Sequence, residues 1–327
     1  MKRTEFLKLF GGMLLATQLP NKAVARVTDI AATGESLKDV RKITIDVGAT
    51  SPFSALHISD THLTFADERN DERKIKLAAS RLRHFTKAEE CFVAAIEYAR
   101  ARGLMLLHTG DLMDFVSEAN IDYVAKEFRR VAWFVAPGNH EFSQYVGEAH
   151  ENEAYKQQSY NKVLGAYPNN ITFASRVING VNFVAVDDVY YNFTAEQHEL
   201  MRREVERGFP IVMMCHVPLY TPEHCKINLE KNQGKSAYMT GVPRHITDTY
   251  QKNPDLPASE QWRNRSVQQR ADKPTLEFIA WLKEQPLLKA ILCGHTHEFY
   301  QERFSPTAIQ YTVGAGYAGN AYEIEFK

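Results

Sequence analysis

Five short polar clusters along the chain carry side chains that could bind metal ions. The candidate ligands are two carboxylates, one amide oxygen and four imidazoles, namely Asp60, His62, Asp111, Asn139, His216, His295 and His297. Ligation by nitrogen and oxygen without thiolate suits manganese, iron or zinc, and one carboxylate can bridge two ions. This ligand set is too large for one ion and about right for two. The sequence therefore predicts a site for two divalent metal ions.

The chemistry that such a pair of ions serves is phosphoryl transfer. Two metal ions roughly 3.5–4 Å apart clamp the attacking and leaving oxygens of an in-line displacement, and they lower the pKa of a bridging water so that hydroxide exists at neutral pH. In the stretch GHTHE at 294–298, His295 and His297 are spaced to give one ligand to each ion. The sequence therefore predicts a hydrolase that acts on phosphate esters.

Predicted strands lead directly into these polar clusters. Short apolar runs alternate with helical patterns, which indicates an α/β architecture. The predicted strands cover residues 43–47, 53–59, 104–108, 132–136, 182–186, 211–215, 289–293, 308–313 and 322–326. Ligands of α/β sheets bind outside the carboxyl ends of strands. We therefore expect the polar clusters to converge.

Several helix ends can be read from capping residues. The pattern TKAE at 86–89 is a capping box, and it predicts a helix that stops at Gly103. The pattern TAEQ at 194–197 is a second capping box and predicts another helix. Ser117 and Thr275 are predicted to begin two further helices.

The ordered set of clusters resembles the signature of the calcineurin-like metallophosphoesterase superfamily. DTH, GDLMD, GNHE, a later isolated histidine and GHTH follow one another, each after a predicted strand, over about residues 56–299. The resemblance implies a four-layer α/β/β/α sandwich, in which two mixed β-sheets are flanked by helices. It implies that the first metal ion is held by Asp60, His62, Asp111 and His297. The second ion would be held by Asp111, Asn139, His216 and His295, with Asp111 as the bridge.

The resemblance also indicates a proton donor next to the metal ligands. His140 adjoins Asn139, but its side chain is not needed as a ligand. In relatives with the pattern GD-x-x-D, the second aspartate pairs with this histidine, and Asp114 occupies that place here. A carboxylate partner raises the pKa of an imidazole and keeps a proton available for the leaving oxygen. We therefore expect His140 and Asp114 to be catalytic, with a purely structural His140 as the alternative.

Substrate choice is expected to depend on a segment that the motifs do not cover. From about residue 223 to 271 the chain becomes polar, with scattered prolines and asparagines. A segment of this length is either functional or a solvated excursion. If it caps the site, the candidates for binding a phosphate or sugar group are Arg244, His245, Arg263 and Arg265.

The first 25 residues are typical of a secretory signal peptide. A cationic start, MKRTEFLK, is followed by the short apolar run LFGGMLLATQL and by an A-x-A cleavage pattern at 23–25. The apolar run is too short to span a bilayer. We therefore expect an exported, periplasmic or extracellular protein without a membrane span, whose residues 40–327 form a single metallophosphoesterase domain. A retained amphipathic helix is the alternative, and the export route stays open.

The overall charge argues against nucleic acid as a partner. Lys and Arg number 39 and Asp and Glu number 40, so the formal net charge is −1 and there is no broad basic field. The expected partner is a small phosphorylated substrate, either a phosphomonoester or a phosphodiester. Two alternatives are a nuclease of the same superfamily and a non-catalytic, exported metal-binding protein. The sequence leaves the metal identity and the oligomeric state open.

Overall fold

The computed structural model describes residues 36–147 and 152–327. Over these two ranges the chain forms a five-stranded and a six-stranded β-sheet. The strands in chain order are β1 Asp39–Ile45, β2 Phe53–Ile58, β3 Met105–Thr109, β4 Trp133–Ala136, β5 Phe173–Ile178, β6 Val181–Val186, β7 Ile211–Met214, β8 Leu288–Cys293, β9 Tyr300–Arg303, β10 Ile309–Thr312 and β11 Asn320–Phe326.

Both sheets contain parallel and antiparallel pairs. The first sheet has the order β1-β11-β2-β3-β4, in which only the β11 and β2 pair is antiparallel. The second sheet has the order β5-β6-β7-β8-β10-β9, with an antiparallel pair at each edge. Strands β2, β3 and β4 of the first sheet are therefore parallel, as are β6, β7, β8 and β10 of the second, so the carboxyl ends of each set lie at a common edge.

Helices flank the two sheets. The α-helices in chain order are α1 Glu72–Leu82, α2 Ala88–Arg102, α3 Glu118–Glu127, α4 Glu153–Ala166, α5 Ala195–Glu206, α6 Pro222–Lys231, α7 Arg244–Thr247, α8 Arg265–Gln268 and α9 Lys273–Lys283. Short 3-10 helices lie at His140–Phe142, Ala258–Arg263 and Gly316–Ala318.

The hydrophobic core shows how these layers stack. Side chains alternate along β6, so Phe183 packs in a cluster with Leu107 and Phe134 of the first sheet. The neighbouring Val184 belongs to a different cluster that contains Phe278 of α9. One face of the sheet thus meets the other sheet and the opposite face meets helices. The predicted four-layer α/β/β/α sandwich is confirmed.

Several predicted boundaries are confirmed and others are wrong. Thr194 caps α5 in a complete capping box, and Ser117 caps α3 through the backbone N–H of Asn120. The helix expected from TKAE does end at Gly103, but it is preceded by Lys87, which makes no side-chain cap, so the capping-box prediction is wrong. The helix predicted to begin at Thr275 is capped by Asp272, because the Asp272 carboxylate accepts the Thr275 N–H.

The N-terminal prediction lies outside the described residues. The signal peptide expected at residues 1–25 falls wholly before residue 36, where the description begins. Within 36–147 and 152–327, none of the helices combines the length and the apolar character needed to cross a membrane.

Candidate metal centre

The candidate ligands lie where strands of both sheets end. Asp60 follows β2, Asp111 follows β3, His216 follows β7 and His295 follows β8. Five of the candidates have left-handed backbone conformations, with φ between 52° and 67°, namely Asp60, His62, Asp111, His295 and His297. Such conformations are costly for residues other than glycine, and they cluster at functional sites. The surrounding structure therefore holds the backbone of these residues in a strained conformation.

A first group of ligand atoms comes from Asp60, His62 and His297. The Nε2 atom of His297 lies 3.1 Å from Asp60 Oδ1 and 3.4 Å from His62 Nε2. All three side chains place one ligand atom within 4.8 Å of the others. This group can hold one metal ion.

A second group comes from Asp111, His216 and His295. His216 Nε2 lies 3.2 Å from Asp111 Oδ2 and 3.0 Å from His295 Nδ1. The same oxygen of Asp111 lies 3.8 Å from His62 Nε2 of the first group. Asp111 therefore stands between the two groups, as a bridging ligand would.

The oxygen and nitrogen atoms of the site are better placed to bind metal ions than to form hydrogen bonds with one another. Asn139 Oδ1 is a buried acceptor that receives no hydrogen bond, and the buried Asp60 Oδ1 faces only ring nitrogens, with His297 Nε2 at 3.1 Å and His62 Nε2 at 3.9 Å. Buried acceptors without a partner are rare because their desolvation is not compensated. The imidazole nitrogens of His216 and His295 also face each other. Divalent cations would satisfy both features, since these atoms are oxygen and nitrogen ligands of the kind that manganese, iron and zinc accept.

The second ring nitrogen of each candidate histidine has a partner of its own. His216 Nδ1 donates to the carbonyl oxygen of Thr109 at 2.7 Å, which leaves its Nε2 lone pair for a metal ion. His295 Nε2 lies 3.0 Å from the Tyr191 hydroxyl. His297 Nδ1 lies 3.3 Å from the Tyr317 hydroxyl. Tyr191 and Tyr317 orient ligands, and no motif in the sequence marked them.

A third group joins the first metal group to the predicted proton donor. Asp114 Oδ1 lies 3.0 Å from His62 Nδ1 and 3.2 Å from His140 Nδ1. His140 Nδ1 also lies 2.7 Å from the main-chain oxygen of Asp114. Burial opposes protonation of His140, but the negative charges of Asp111 and Asp114 outweigh it and raise its pKa to about 9. The pairing of His140 with Asp114 predicted from the sequence is present.

Glu141 fixes the loops that carry the ligands. Its buried Oε2 accepts the backbone N–H groups of Asp111 at 2.8 Å and Gly138 at 2.6 Å. Its Oε1 accepts those of Leu112 at 2.6 Å and Met113 at 3.1 Å. Glu141 therefore ties the turn after β3 to the turn after β4. The motif GNHE contains this residue, but nothing in the sequence indicates its role.

Gly138 lets the same two turns approach each other. A Cβ atom on Gly138 would lie 2.3 Å from Asp111 Oδ1 and 2.4 Å from the Asp111 nitrogen. No side chain fits at that distance. The glycine of GNHE is therefore required by the close approach of Asp111.

Two histidines close to the site belong to the core instead. His57 Nε2 lies 2.9 Å from the Thr109 hydroxyl, and His108 Nε2 lies 3.0 Å from the Thr61 hydroxyl. Burial lowers the pKa of each ring to about 3, so both are neutral. They are hydrogen-bonded core residues.

The metal-ligand groups and His140 border a cavity of about 290 Å³. One wall carries metal-centre residues, and another comes from the polar segment at 223–271. The lining residues are His62, Arg81, Phe85, Asp111, Asn139, His140, Asn228, Lys231, Asn232, Tyr238, His295, Thr296 and His297. The segment therefore does border the site.

The four predicted substrate contacts do not line this cavity. Arg244 pairs with Asp248 at 3.4 Å, and Arg263 pairs with Glu260 at 2.8 Å. Arg263 and Arg265 line a separate cavity, and His245 is exposed. The prediction rested on positive charge, but the segment folds so that the end of α6 borders the cavity and these four residues do not.

The sequence comparison places the chain in a family. Residues 53–299 match the family described as calcineurin-like phosphoesterase, so the chain belongs to that family. It is a metal-dependent phosphoesterase, whose His and Asp groups are arranged to hold metal ions. No curated protein matches the chain.

Solved structures of similar fold share little sequence with this chain. A dimetal phosphatase from Danio rerio is 11% identical, with a TM-score of 0.42 over 83% of this chain and 89% of that one. A phosphopantetheinyl hydrolase from Mycobacterium tuberculosis is 12% identical, with a TM-score of 0.38 over 81% and 90%. A putative 5′-nucleotidase from Staphylococcus aureus is 14% identical, with a TM-score of 0.38 over 81% of this chain but 49% of the nucleotidase.

Proposed function

We propose that this protein is a phosphohydrolase that binds two divalent metal ions and cleaves a small phosphomonoester or phosphodiester. The observation that carries the proposal is the position of Asp111 between two groups of ligand atoms, each with all its ligand atoms within 4.8 Å of one another. The first ion would be held by Asp60, His62, Asp111 and His297, and the second by Asp111, Asn139, His216 and His295.

The metal ions would be manganese, iron or zinc. When bound, they polarise the phosphoryl group and lower the pKa of a water molecule, so that a nucleophile is present at neutral pH. The protein's own contribution is to hold the ligands rigidly. Glu141, Tyr191 and Tyr317 contribute to this through hydrogen bonds to the ligand loops or to ligand side chains.

His140 is the proposed general acid. Its Nδ1 is held by Asp114, and the ring borders the cavity with its side chain 18% exposed. Its Nε2 is then the atom that gives a proton to the leaving oxygen. Asp114 keeps the ring in this orientation and tautomer. Loss of a positioned proton donor typically costs about 10²–10⁴-fold in rate.

The test compares wild type, His140→Asn and His84→Asn as the matched exposed control. Metal content per chain is measured together with turnover of an aryl phosphate monoester and a matched diester. We expect two ions per chain in all three proteins and a large loss of kcat in His140→Asn alone. Full activity of His140→Asn would refute the general-acid role, and metal binding without turnover of either ester would contradict the phosphohydrolase proposal.

The same wild-type protein can be tested for the two alternative functions, a nuclease and a non-catalytic metal-binding protein. Cleavage of single-stranded or double-stranded DNA in place of the small esters would favour a nuclease. The small cavity argues against it, since about 290 Å³ lies at the lower limit for ligand sites. A protein that binds two ions but hydrolyses neither class of substrate would be the non-catalytic alternative.

The segment at 223–271 is proposed to cap the site as an insert in a single domain that spans residues 40–327. Its proposed substrate contacts are Lys231, Asn232 and Tyr238, since these border the cavity. We expect Lys231→Met to raise KM with little change in kcat, because Lys231 lies outside the reacting centre. Lys226→Met, exposed on the same helix, is the control. An unchanged KM in Lys231→Met would remove this residue from the substrate site.

We propose that the protein is exported, on the evidence of its N-terminal sequence. The cationic, apolar and A-x-A regions at 1–25 support cleavage after Ala25. The measurement is the N-terminal sequence and the cellular location of protein expressed from the full gene. An intact Met1 on protein that stays inside the cell would contradict the proposal.

A further inference from the structure

The buried carboxylate of Asp114 contacts three side chains. His62 and His140 each approach its Oδ1, at 3.0 Å and 3.2 Å. Arg81, from the last turn of α1, binds both oxygens: its Nε lies 2.5 Å from Oδ2 and its Nη2 lies 2.9 Å from Oδ1. A metal-ligand candidate, a proton-donor candidate and an arginine therefore share one carboxylate.

Arg81 supplies contacts that the two histidines do not. The Oδ2 atom of Asp114 accepts a hydrogen bond from Arg81, whereas both histidines use Oδ1. The Asp114 side chain is fully buried, so without Arg81 this oxygen would lose the charge-assisted bond that holds the carboxylate in place. The carboxylate could then rotate, so that the His62 ring would lose its fixed acceptor and the His140 ring would keep only the main-chain oxygen of Asp114.

Arg81 also supports His62 through an aromatic ring. The guanidinium carbon lies 4.9 Å from the centroid of the Phe85 ring. Phe85 in turn stacks on the His62 ring, with centroids 4.6 Å apart and planes only 4° from parallel. The His62 ring is thus held at its Nδ1 by Asp114 and on its face by Phe85, and Arg81 contacts both.

We propose that Arg81 is a positioning residue of this site. It holds the Asp114 carboxylate with two guanidinium nitrogens, and through that carboxylate it orients the rings of both His62 and His140. The part that concerns His140 rests on the proposed function, whereas the part that concerns His62 requires only metal binding. Lysine cannot reproduce the role in full, because it has a single nitrogen where arginine has a planar fork. Partners that orient metal ligands typically contribute 10–100-fold to metal affinity or activity.

The test compares Arg81→Gln, Arg81→Lys and Arg81→Ala with Arg83→Gln. Arg83 is exposed two positions away, which makes it a matched control. Two quantities are measured: the affinity for manganese or zinc, by titration against a chromogenic chelator, and kcat and KM for an aryl phosphate. We expect Arg81→Gln to lose about 10–100-fold in metal affinity and in kcat, with KM changed far less. Arg81→Lys should recover only part of the loss.

Chemical rescue separates positioning from general destabilisation. Arg81 borders the cavity and its side chain is 23% exposed, so a guanidinium ion can reach the space left by Arg81→Ala. We expect added guanidinium to restore part of the metal affinity and of kcat in that variant, but not to stimulate wild type. If Arg81→Gln does not fold, Arg81→Lys is interpreted by the same criteria.

The proposal is overturned if Arg81→Lys and Arg81→Gln match Arg83→Gln in both metal affinity and kcat, or if only KM changes. Its failure is distinguishable from failure of the proposed function. If wild type binds metal ions but hydrolyses no ester, the proposed function fails, and the metal affinities of the Arg81 variants still decide whether this residue positions His62.

Discussion

Replacing Glu141 with glutamine should destabilise the protein strongly although the side chain keeps its shape. The Oε1 atom of Glu141 accepts the N–H groups of Leu112 and Met113 and the hydroxyl of Tyr167, the last at 3.0 Å. The Oε2 atom accepts two further N–H groups from the neighbouring turns. Glutamine offers only one acceptor oxygen, so its NH₂ group must face donors on one side.

The expected loss follows from the donors left without an acceptor. If the amide oxygen takes the Oε1 position, the N–H groups of Asp111 and Gly138 face the NH₂ group. If the amide oxygen takes the Oε2 position, the N–H groups of Leu112 and Met113 face the NH₂ group. The Tyr167 hydroxyl can then turn and accept a hydrogen bond from that NH₂ group. Two buried N–H groups lose their acceptor in either case, at about 1–3 kcal/mol each. The free energy of unfolding should therefore fall by about 2–6 kcal/mol.

Urea denaturation of Glu141→Gln and wild type measures this difference. Glu206→Gln, an exposed glutamate at the end of α5, is the matched control and should stay within about 0.5 kcal/mol of wild type. A Glu141→Gln protein that unfolds at the same urea concentration as the control would refute the reasoning. It would mean that the turns after β3 and β4, which carry Asp111 and Asn139, keep their conformation without this carboxylate.

Two further changes test the packing around the site. Gly294→Ala would place a Cβ atom 1.9 Å from Ser59 Oγ and 2.4 Å from Asp60 Oδ2, so we expect weakened metal binding and a loss of about 1–3 kcal/mol in stability. If Gly294→Ala bound metal ions with the affinity of wild type, Asp60 would not have moved, and the prediction would be wrong. Lys156→Met would leave the buried Asp187 carboxylate without its cation, and thermal or urea unfolding should show a loss of about 3–5 kcal/mol. Adding Asp187→Asn should recover much of that loss, and no recovery would contradict the ion-pair explanation.

The sequence predicted the central strands well because these strands are buried on both faces. Runs such as VNFVAV in β6 and LKAILC in β8 are nearly continuous and apolar, and each leads to a polar cluster. The strands that were missed, β5 and β9, are the two edges of the second sheet. Their residues FASRVI and YQER are only partly buried, so no apolar pattern marks them.

Residues that support the ligands could not be found from motifs. Arg81, Tyr191 and Tyr317 each contact a site residue 20 or more positions away in sequence, and nothing local distinguishes them from other arginines and tyrosines. The helix α1 that carries Arg81 was not predicted at all. Their roles depend on how the sheets and helices pack, which the order of the clusters does not specify.

The residues that line the cavity could not be predicted from the sequence either. The sequence left open whether the segment at 223–271 borders the site or is a solvated excursion. The contacts expected from the sequence are cationic residues, whereas the structure brings the end of α6 and Tyr238 to the cavity. Charge indicates which residues could bind a phosphate, but the turns of the segment decide which ones reach it.

The most direct test of the account is the number of divalent ions bound per chain, measured by elemental analysis of wild type and Asp111→Asn after equilibration with manganese, iron or zinc. The account predicts two ions in wild type and loss of both in Asp111→Asn, because both groups of ligand atoms depend on that carboxylate. Wild-type protein that binds no ion of any of the three metals, or an Asp111→Asn protein that still binds two, would contradict it.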